Sequence, residues 1–238
     1  MSKLTAVIYH ATVNFREFQP ESVDFPDDIY QQLFAGARKN LRYFGIPLVH
    51  LTVKGHPGWG DETVYFDGDP QNVVYNRELF FAEYLKTQAE DQVFWLTEPD
   101  ARLMRDFPEL PEDCDLSLLR RRDVIAISPW WRLARRSSVP FFEQALQYFD
   151  QDKLTWHGDS WAYVKMWELM GKPDIGSEHS YVDYNNMKIE LRHYNNYSSP
   201  KSSYVRQWKS TNKRKLLDLD HEDWMPRVKF HHPVSPQE

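Results

Sequence analysis

The chain has one cysteine, Cys114, in 238 residues, which excludes an intramolecular disulfide and any zinc site built on several cysteines. A reducing, cytoplasmic compartment is the expectation. No run of about 18 apolar residues occurs, so no membrane-spanning helix is expected. The start, MSKLTAVIYHAT, has one lysine ahead of a short apolar run and passes straight into a strand-like pattern, unlike a secretory leader. Internal repeats and low-complexity blocks are absent as well, so the chain reads as ordinary globular sequence.

Charge of both signs is present, but it is unevenly placed. The net charge of -6 conceals two basic windows. Residues 188–215 hold Lys188, Arg192, Lys201, Arg206, Lys209, Lys213, Arg214 and Lys215 against Glu190 alone, a balance of +7. Residues 117–137 hold Arg120, Arg121, Arg122, Arg132, Arg135 and Arg136 against Asp123, a balance of +5. The rest is correspondingly acidic, so a cationic site for phosphates can coexist with an acidic, soluble exterior; the competing reading of each run is a solvated helix face. Aromatics reach 15%, with nine Trp, which favours binding surfaces.

Along the chain, strand and helix patterns alternate. AVIYHATV reads as a buried first strand. After Pro26, apolar residues at Ile29, Leu33, Phe34, Ala37, Leu41 and Phe44 follow the 3.6 period, with Asp27 and Asp28 ahead and Gly45 behind, and predict a helix. IPLVHLTV completes a β-α-β unit. The loops GHPGWGDET and FDGDPQN lead to a predicted helix, VVYNRELFFAEYLKTQ, and a third strand, DQVFWLT. DVIAIS and KIELRHY read as strands, VPFFEQALQYFDQ and GDSWAYVKMWELMG as helices. The expectation is one α/β domain over residues 1–215, with a mixed, mostly parallel central sheet flanked by helices in Rossmann-like order, and an arm or tail over 216–238. Ligands of such sheets bind beyond the carboxyl ends of the strands, where Thr12, Asn14, Glu98 and Asp100 fall.

Glu98-Pro99-Asp100 follows the apolar FWLT. Two carboxylates one residue apart at a strand end repel each other unless a cation joins them, and their hard oxygens suit Mg2+ or Mn2+. The same residues also read as the cap of a helix, PDARLMRDF, with Pro99 at its first position.

With its surroundings, this segment resembles the GT-A class of nucleotide-sugar glycosyltransferases, particularly the small galactosyl- and glucosyltransferase-like members. FWLTEPD occupies the place of that family's Asp-x-Asp motif, Glu98 substituting for the first acid and Asp100 matching the second. YNRELFFAEYL puts Arg77 on the helix before it. HGDSWAYVKMW resembles the family's Gly-Asp-Gln segment through Gly158 and Asp159, with Ser160 in place of Gln. RHYNNYSSPKSSYVRQW offers His193, Lys201 and Trp208 in a looser version of the late His, Gly and Lys-Pro-Trp motif, with Asn196 where the glycine would be. The resemblance implies a nucleoside-diphosphate sugar as donor and Mn2+ or Mg2+ held by Glu98, Asp100 and His193. It further implies donor contacts from Thr12, Asn14, Arg77 and Lys201, and Asp159 as the catalytic group. Asp159 would act as general base on the acceptor hydroxyl or face the oxocarbenium-like sugar; the same Gly-Asp also reads as a helix cap.

RRRDVIAISPWWRLARR and YVRQWKSTNKRK interleave cations with aromatics, a composition suited to phosphate backbones and exposed bases. The acceptor this suggests is a hydroxymethylated pyrimidine in DNA, as for the base-modifying enzymes of bacteriophages. Two other classes stand beside this reading. A metal-dependent nuclease would draw on Asp174 and Glu190, though Arg192 stands where its motif wants Lys. A non-enzymatic nucleic-acid-binding protein would use the basic arms alone.

Overall fold

The computed structural model describes residues 4–11, 28–104, 109–120, 127–149, 158–173, 179–193 and 205–207. In chain order these form β1 (Thr5–Tyr9), α1 (Ile29–Tyr43), β2 (Leu48–Val53), β3 (Glu62–Phe66), α2 (Val73–Lys86), β4 (Phe94–Thr97), β5 (Ala101–Leu103) and β6 (Leu116–Arg120). After these come β7 (Ile127–Ala134), α3 (Val139–Leu146), α4 (Gly158–Leu169), β8 (His179–Tyr184), β9 (Met187–His193) and β10 (Val205–Gln207). Thr12, Asn14, Lys201, Trp208 and the expected 216–238 arm lie outside the described residues.

Period-two alternation decides the layering. Val7 and Tyr9 of β1 and Phe94 and Leu96 of β4 face one apolar cluster, while Ala6, Ile8 and Trp95 face another. A sheet apolar on both sides needs cover on both. Phe34, Ala37 and Leu41 of α1 supply one cover. Phe80 and Phe81 of α2, Phe141 and Phe142 of α3, and Tyr163 and Met166 of α4 supply the other. Each such side chain taken out of water contributes about 1.5–3 kcal/mol.

The eight-stranded sheet has the order β3-β2-β1-β4-β7-β6-β9-β8. Pairs β3-β2, β2-β1, β1-β4 and β6-β9 are parallel, and the pairs that β7 makes with β4 and β6, like β8-β9, are antiparallel. Strands β1, β2, β3, β4, β6 and β9 therefore share one direction, against β7 and β8. A second, two-stranded sheet pairs β10 with β5. The mixed, mostly parallel α/β sheet expected from the sequence is the one observed, and no described helix is long and apolar enough to cross a membrane.

The differences have local causes. The strand expected over DVIAIS is described only from Ile127 and runs on to Ala134. Its pairing with β6 shifts register between Leu118 and Leu119, so Arg132 pairs with Leu118 but Ser128 with Leu119. Pro129, which cannot donate to a ladder, falls in this irregularity, where a strand tolerates it. The hairpin partner of β9 was not apparent in the sequence. Its turn is Asn185-Asn186 with φ of 49° and 61°, the left-handed pair a tight hairpin requires and asparagine adopts more readily than most residues.

Candidate active site

The shared strand direction brings the carboxyl ends of β1, β4, β6 and β9 to one edge of the sheet. At the end of β4 the chain turns sharply: the Ala101 N–H donates to the Glu98 carbonyl at 3.1 Å. This is a four-residue turn with Pro99 at its second position, where the fixed φ of proline is favourable. No helix begins there. Instead β5 starts at Ala101, held by the buried Arg102 guanidinium, which donates to the Pro99, Ala101 and Leu33 carbonyls at 2.7, 2.9 and 3.0 Å. The turn is thus tied both to its own backbone and to α1.

Arg77 of α2 joins this turn to α4. Its Nε donates to Glu78 at 2.9 Å, one terminal nitrogen to Glu98 at 3.0 Å and the other to Asp159 at 2.7 Å. Each nitrogen of one guanidinium therefore meets a different carboxylate. Burial disfavours its charge, but Glu78, Asp159 and Glu98 outweigh that and hold its pKa well above the ordinary value. Asp159 lies in the first turn of α4, where the helix dipole favours an anion. Tyr163, one turn on, shares that face and donates its hydroxyl to Glu78 at 2.8 Å. Arg132 of β7 donates to both Glu78 and Tyr163. Burial pushes the Glu78 pKa up, but Arg132 and Arg77 outweigh it and keep the carboxyl below its usual range.

The cluster contains two guanidinium cations and three carboxylates, and it opens to solvent mainly at Glu98. That side chain is 26% exposed, against 8% for Arg77 and Asp159. Arg77, Glu98 and Asp159 have separate expected roles; the structure brings them into contact. Asp100 lies in the same turn and is 4% exposed. His193 reaches the same sheet edge, but β7 and β6 separate β9 from β4, about 14 Å at ordinary strand spacing. Among the described residues no group of three His, Cys, Asp or Glu is gathered around a metal position. The two-acid turn still fits a hard divalent cation that takes its remaining ligands from a diphosphate, the usual way Mg2+ is bound.

Glu78 and Arg132 were not singled out from the sequence. Arg132 was counted in a basic window, yet it is fully buried. The available signal was its place between Trp131 and Leu133: alternation points Arg132 to the helix-covered side opposite theirs. Arg192 is likewise buried, donating to Glu190 at 2.7 Å. Arg135 donates to the Pro111 and Glu112 carbonyls at 2.9 and 3.1 Å. The windowed charge sums therefore overstate the cationic surface.

Beside the exit of β1 lies a ring stack. His10 stacks on Tyr30 with centroids 3.9 Å apart, and Trp59 lies parallel to His50 at 5.6 Å. The Trp59 backbone N–H donates to His50 Nδ1 at 3.1 Å, so Nε2 carries the ring proton and donates to the His10 carbonyl at 3.0 Å. His50 thus pins the end of β1 to the Trp59 loop as a neutral ring. Burial lowers its pKa from 6.5 to about 4. Between pH 6.5 and about 4 the unfolded ring takes up a proton that the folded ring refuses. Stability is therefore complete above pH 6.5 and falls by up to about 3 kcal/mol on acidification to pH 4. In His50→Gln, urea midpoints measured across this range lose that part of the acid slope.

A cleft of about 910 Å³ is lined by Lys86, Glu90, Asp91, Asp115, Arg135 and Arg136, among others. Asp91 and Asp115 precede β4 and β6, so this cleft lies at the amino ends of the strands. It is separate from the edge that carries Glu98.

No protein-family model and no curated protein sequence matches the chain. Solved structures do. A glycosyltransferase involved in glycosylation of the major capsid of PBCV-1 has 7% identity and a TM-score of 0.53, covering 92% of this chain and 99% of that one. An active-site mutant of LgtC has 9% identity and a TM-score of 0.50, with 92% and 99% covered. The galactosyltransferase LgtC with donor and acceptor sugar analogues has 10% identity and a TM-score of 0.49, with 94% and 100% covered. At such identity the likeness speaks for architecture: the chain has the GT-A-like fold found in nucleotide-sugar glycosyltransferases.

Proposed function

We propose that this protein transfers a sugar from a nucleoside-diphosphate sugar to an acceptor hydroxyl. The observation that carries the reading is the Glu98–Arg77–Asp159 contact at the carboxyl end of β4, on a fold shared with sugar transferases. Arg77 and Asp159 offer a fixed donor and acceptor for sugar hydroxyls. Asp159 takes the acceptor proton or faces the positive charge that grows on the sugar. Glu98 and Asp100 would hold a Mn2+ or Mg2+ ion, which supplies Lewis-acid stabilisation of the leaving diphosphate when bound. Thr12 and Asn14 after β1 and Lys201 complete the reading as donor-binding groups. A DNA acceptor draws no support from Arg132 or Arg192, whose charges are used inside the protein.

A thermal-shift screen of nucleoside diphosphates and nucleotide sugars, each with and without Mn2+, tests this reading. One nucleotide class should raise Tm, and Mn2+ should enlarge the shift; at 100 times Kd the gain is about 2.7 kcal/mol. Asp100→Ala should keep the ligand-free Tm within a few degrees and lose the Mn2+ increment. No shift with any nucleotide would overturn the reading. An undiminished Mn2+ increment in Asp100→Ala would remove Asp100 from the metal.

A further inference from the structure

We infer that Glu78, Arg132 and Tyr163 are positioning residues that aim Arg77, an inference resting on the proposed sugar transfer. Arg77 reaches Glu98 and Asp159 only through its two terminal nitrogens, at 3.0 and 2.7 Å. A guanidinium is rigid and planar, but held by those two nitrogens alone it can still tilt about the line joining them. The third anchor is the Nε contact with Glu78 at 2.9 Å, and it fixes the plane of the guanidinium. Glu78 is the neighbour of Arg77 in sequence, so on a helix the two side chains leave the axis in different directions. Something must hold the Glu78 carboxylate back toward Nε. Its other oxygen accepts from the Tyr163 hydroxyl at 2.8 Å and from Arg132.

The three supports come from three elements: Glu78 from α2, Arg132 from β7 and Tyr163 from α4. Glu78, Arg132 and Tyr163 are each fully buried. None of the three contacts Glu98 or Asp159 in the hydrogen bonds described, so they act on the site through Arg77. Burial pushes the Tyr163 phenol far above its ordinary pKa, against the pull of Arg132, so it remains a donor to Glu78. The cost of burying these charges is that of a rigid mount behind the site.

The test uses Glu78→Gln/Arg132→Met in the full chain. This exchange removes one buried charge of each sign together, so neither is left unpaired and Tm should stay near the parent value. The expected result is a fall in kcat of about 100-fold, the scale of a small misplacement of a reacting group, with donor KM little changed. Arg132→Lys, which keeps the charge beside Glu78, should recover most of the rate. An independent readout is the Arg77 Nε–Hε resonance in ¹⁵N-arginine-labelled protein, assigned by its loss in Arg77→Lys. It should exchange slowly with water in the parent and rapidly in the double variant. Parent kcat together with an unchanged resonance would overturn the inference. Should the parent turn over no nucleotide sugar, the proposed function falls, and the resonance alone decides whether these residues position Arg77.

Discussion

Asp159→Asn should reduce sugar transfer by about 10²–10⁴-fold, the range expected when a positioned acid or base is lost. Asparagine keeps the shape of aspartate and one acceptor oxygen, so the 2.7 Å contact from Arg77 can persist as a weaker hydrogen bond. What disappears is the negative charge, and with it both proposed roles: taking the acceptor proton and facing a sugar that becomes positive. Arg77 retains Glu78 and Glu98 as counter-charges, so its own charge remains buried but paired, and the fold should survive. The measurement is release of nucleoside diphosphate with acceptor present, alongside a melting curve. A variant with parental rate and parental Tm would remove Asp159 from the chemistry. A variant that merely failed to fold would show the loss first in the melting curve. Arg77→Lys then serves as the second probe, because lysine keeps the charge but has all its donors on one nitrogen and lacks the planar fork that spans the three carboxylates.

Much of the fold was legible because its strongest signals are periodic. The first strand follows from a run of apolar and β-branched residues and α1 from 3.6-residue spacing, and Gly45 takes the φ of 69° expected just past a helix. The segments that escaped are those whose pairing is not written locally. ETVYF forms β3, an edge strand on the flank of β2 with little burial, and it sat between two loop-like stretches. β5 is three residues long and exists through its partner β10, about a hundred positions later in the chain. The turn at Glu98-Pro99-Asp100 shows the same limit. Proline in that setting fits a helix start and a four-residue turn equally, and the decision is made by the Arg102 guanidinium binding carbonyls of the turn and of α1.

The site was legible as a set of residues but not as a constellation. Arg77, Glu98 and Asp159 were each singled out, but their contact links positions far apart in the chain, at α2, the end of β4 and the start of α4. The inner half of the network escaped because its charges imitate a surface. Glu78 follows an arginine on a helix and resembles a solvated pair; Arg132 lies in an arginine-rich window. Tertiary packing seals both between sheet and helices.

That seal leads to the largest stability effect expected of a single substitution. Arg132→Met leaves Glu78 fully buried with Arg77 as its remaining cation, a charge Arg77 already shares with Glu98 and Asp159. Removing one partner of a buried ion pair costs about 3–5 kcal/mol, because the other charge keeps its desolvation penalty. For a chain of this size that corresponds to a Tm lower by roughly 10 °C. The rings of Phe81, Phe142 and Tyr163 packed around the Arg132 guanidinium, at 5.1, 5.5 and 5.6 Å, cannot satisfy a carboxylate. Glu78→Gln alone is also destabilising, for the opposite reason: it leaves the Arg132 charge facing those rings and a phenol. The two losses should therefore be non-additive, with the double variant more stable than Arg132→Met alone. Urea unfolding of the four species decides the matter. Additive losses would mean that the two side chains are coupled weakly.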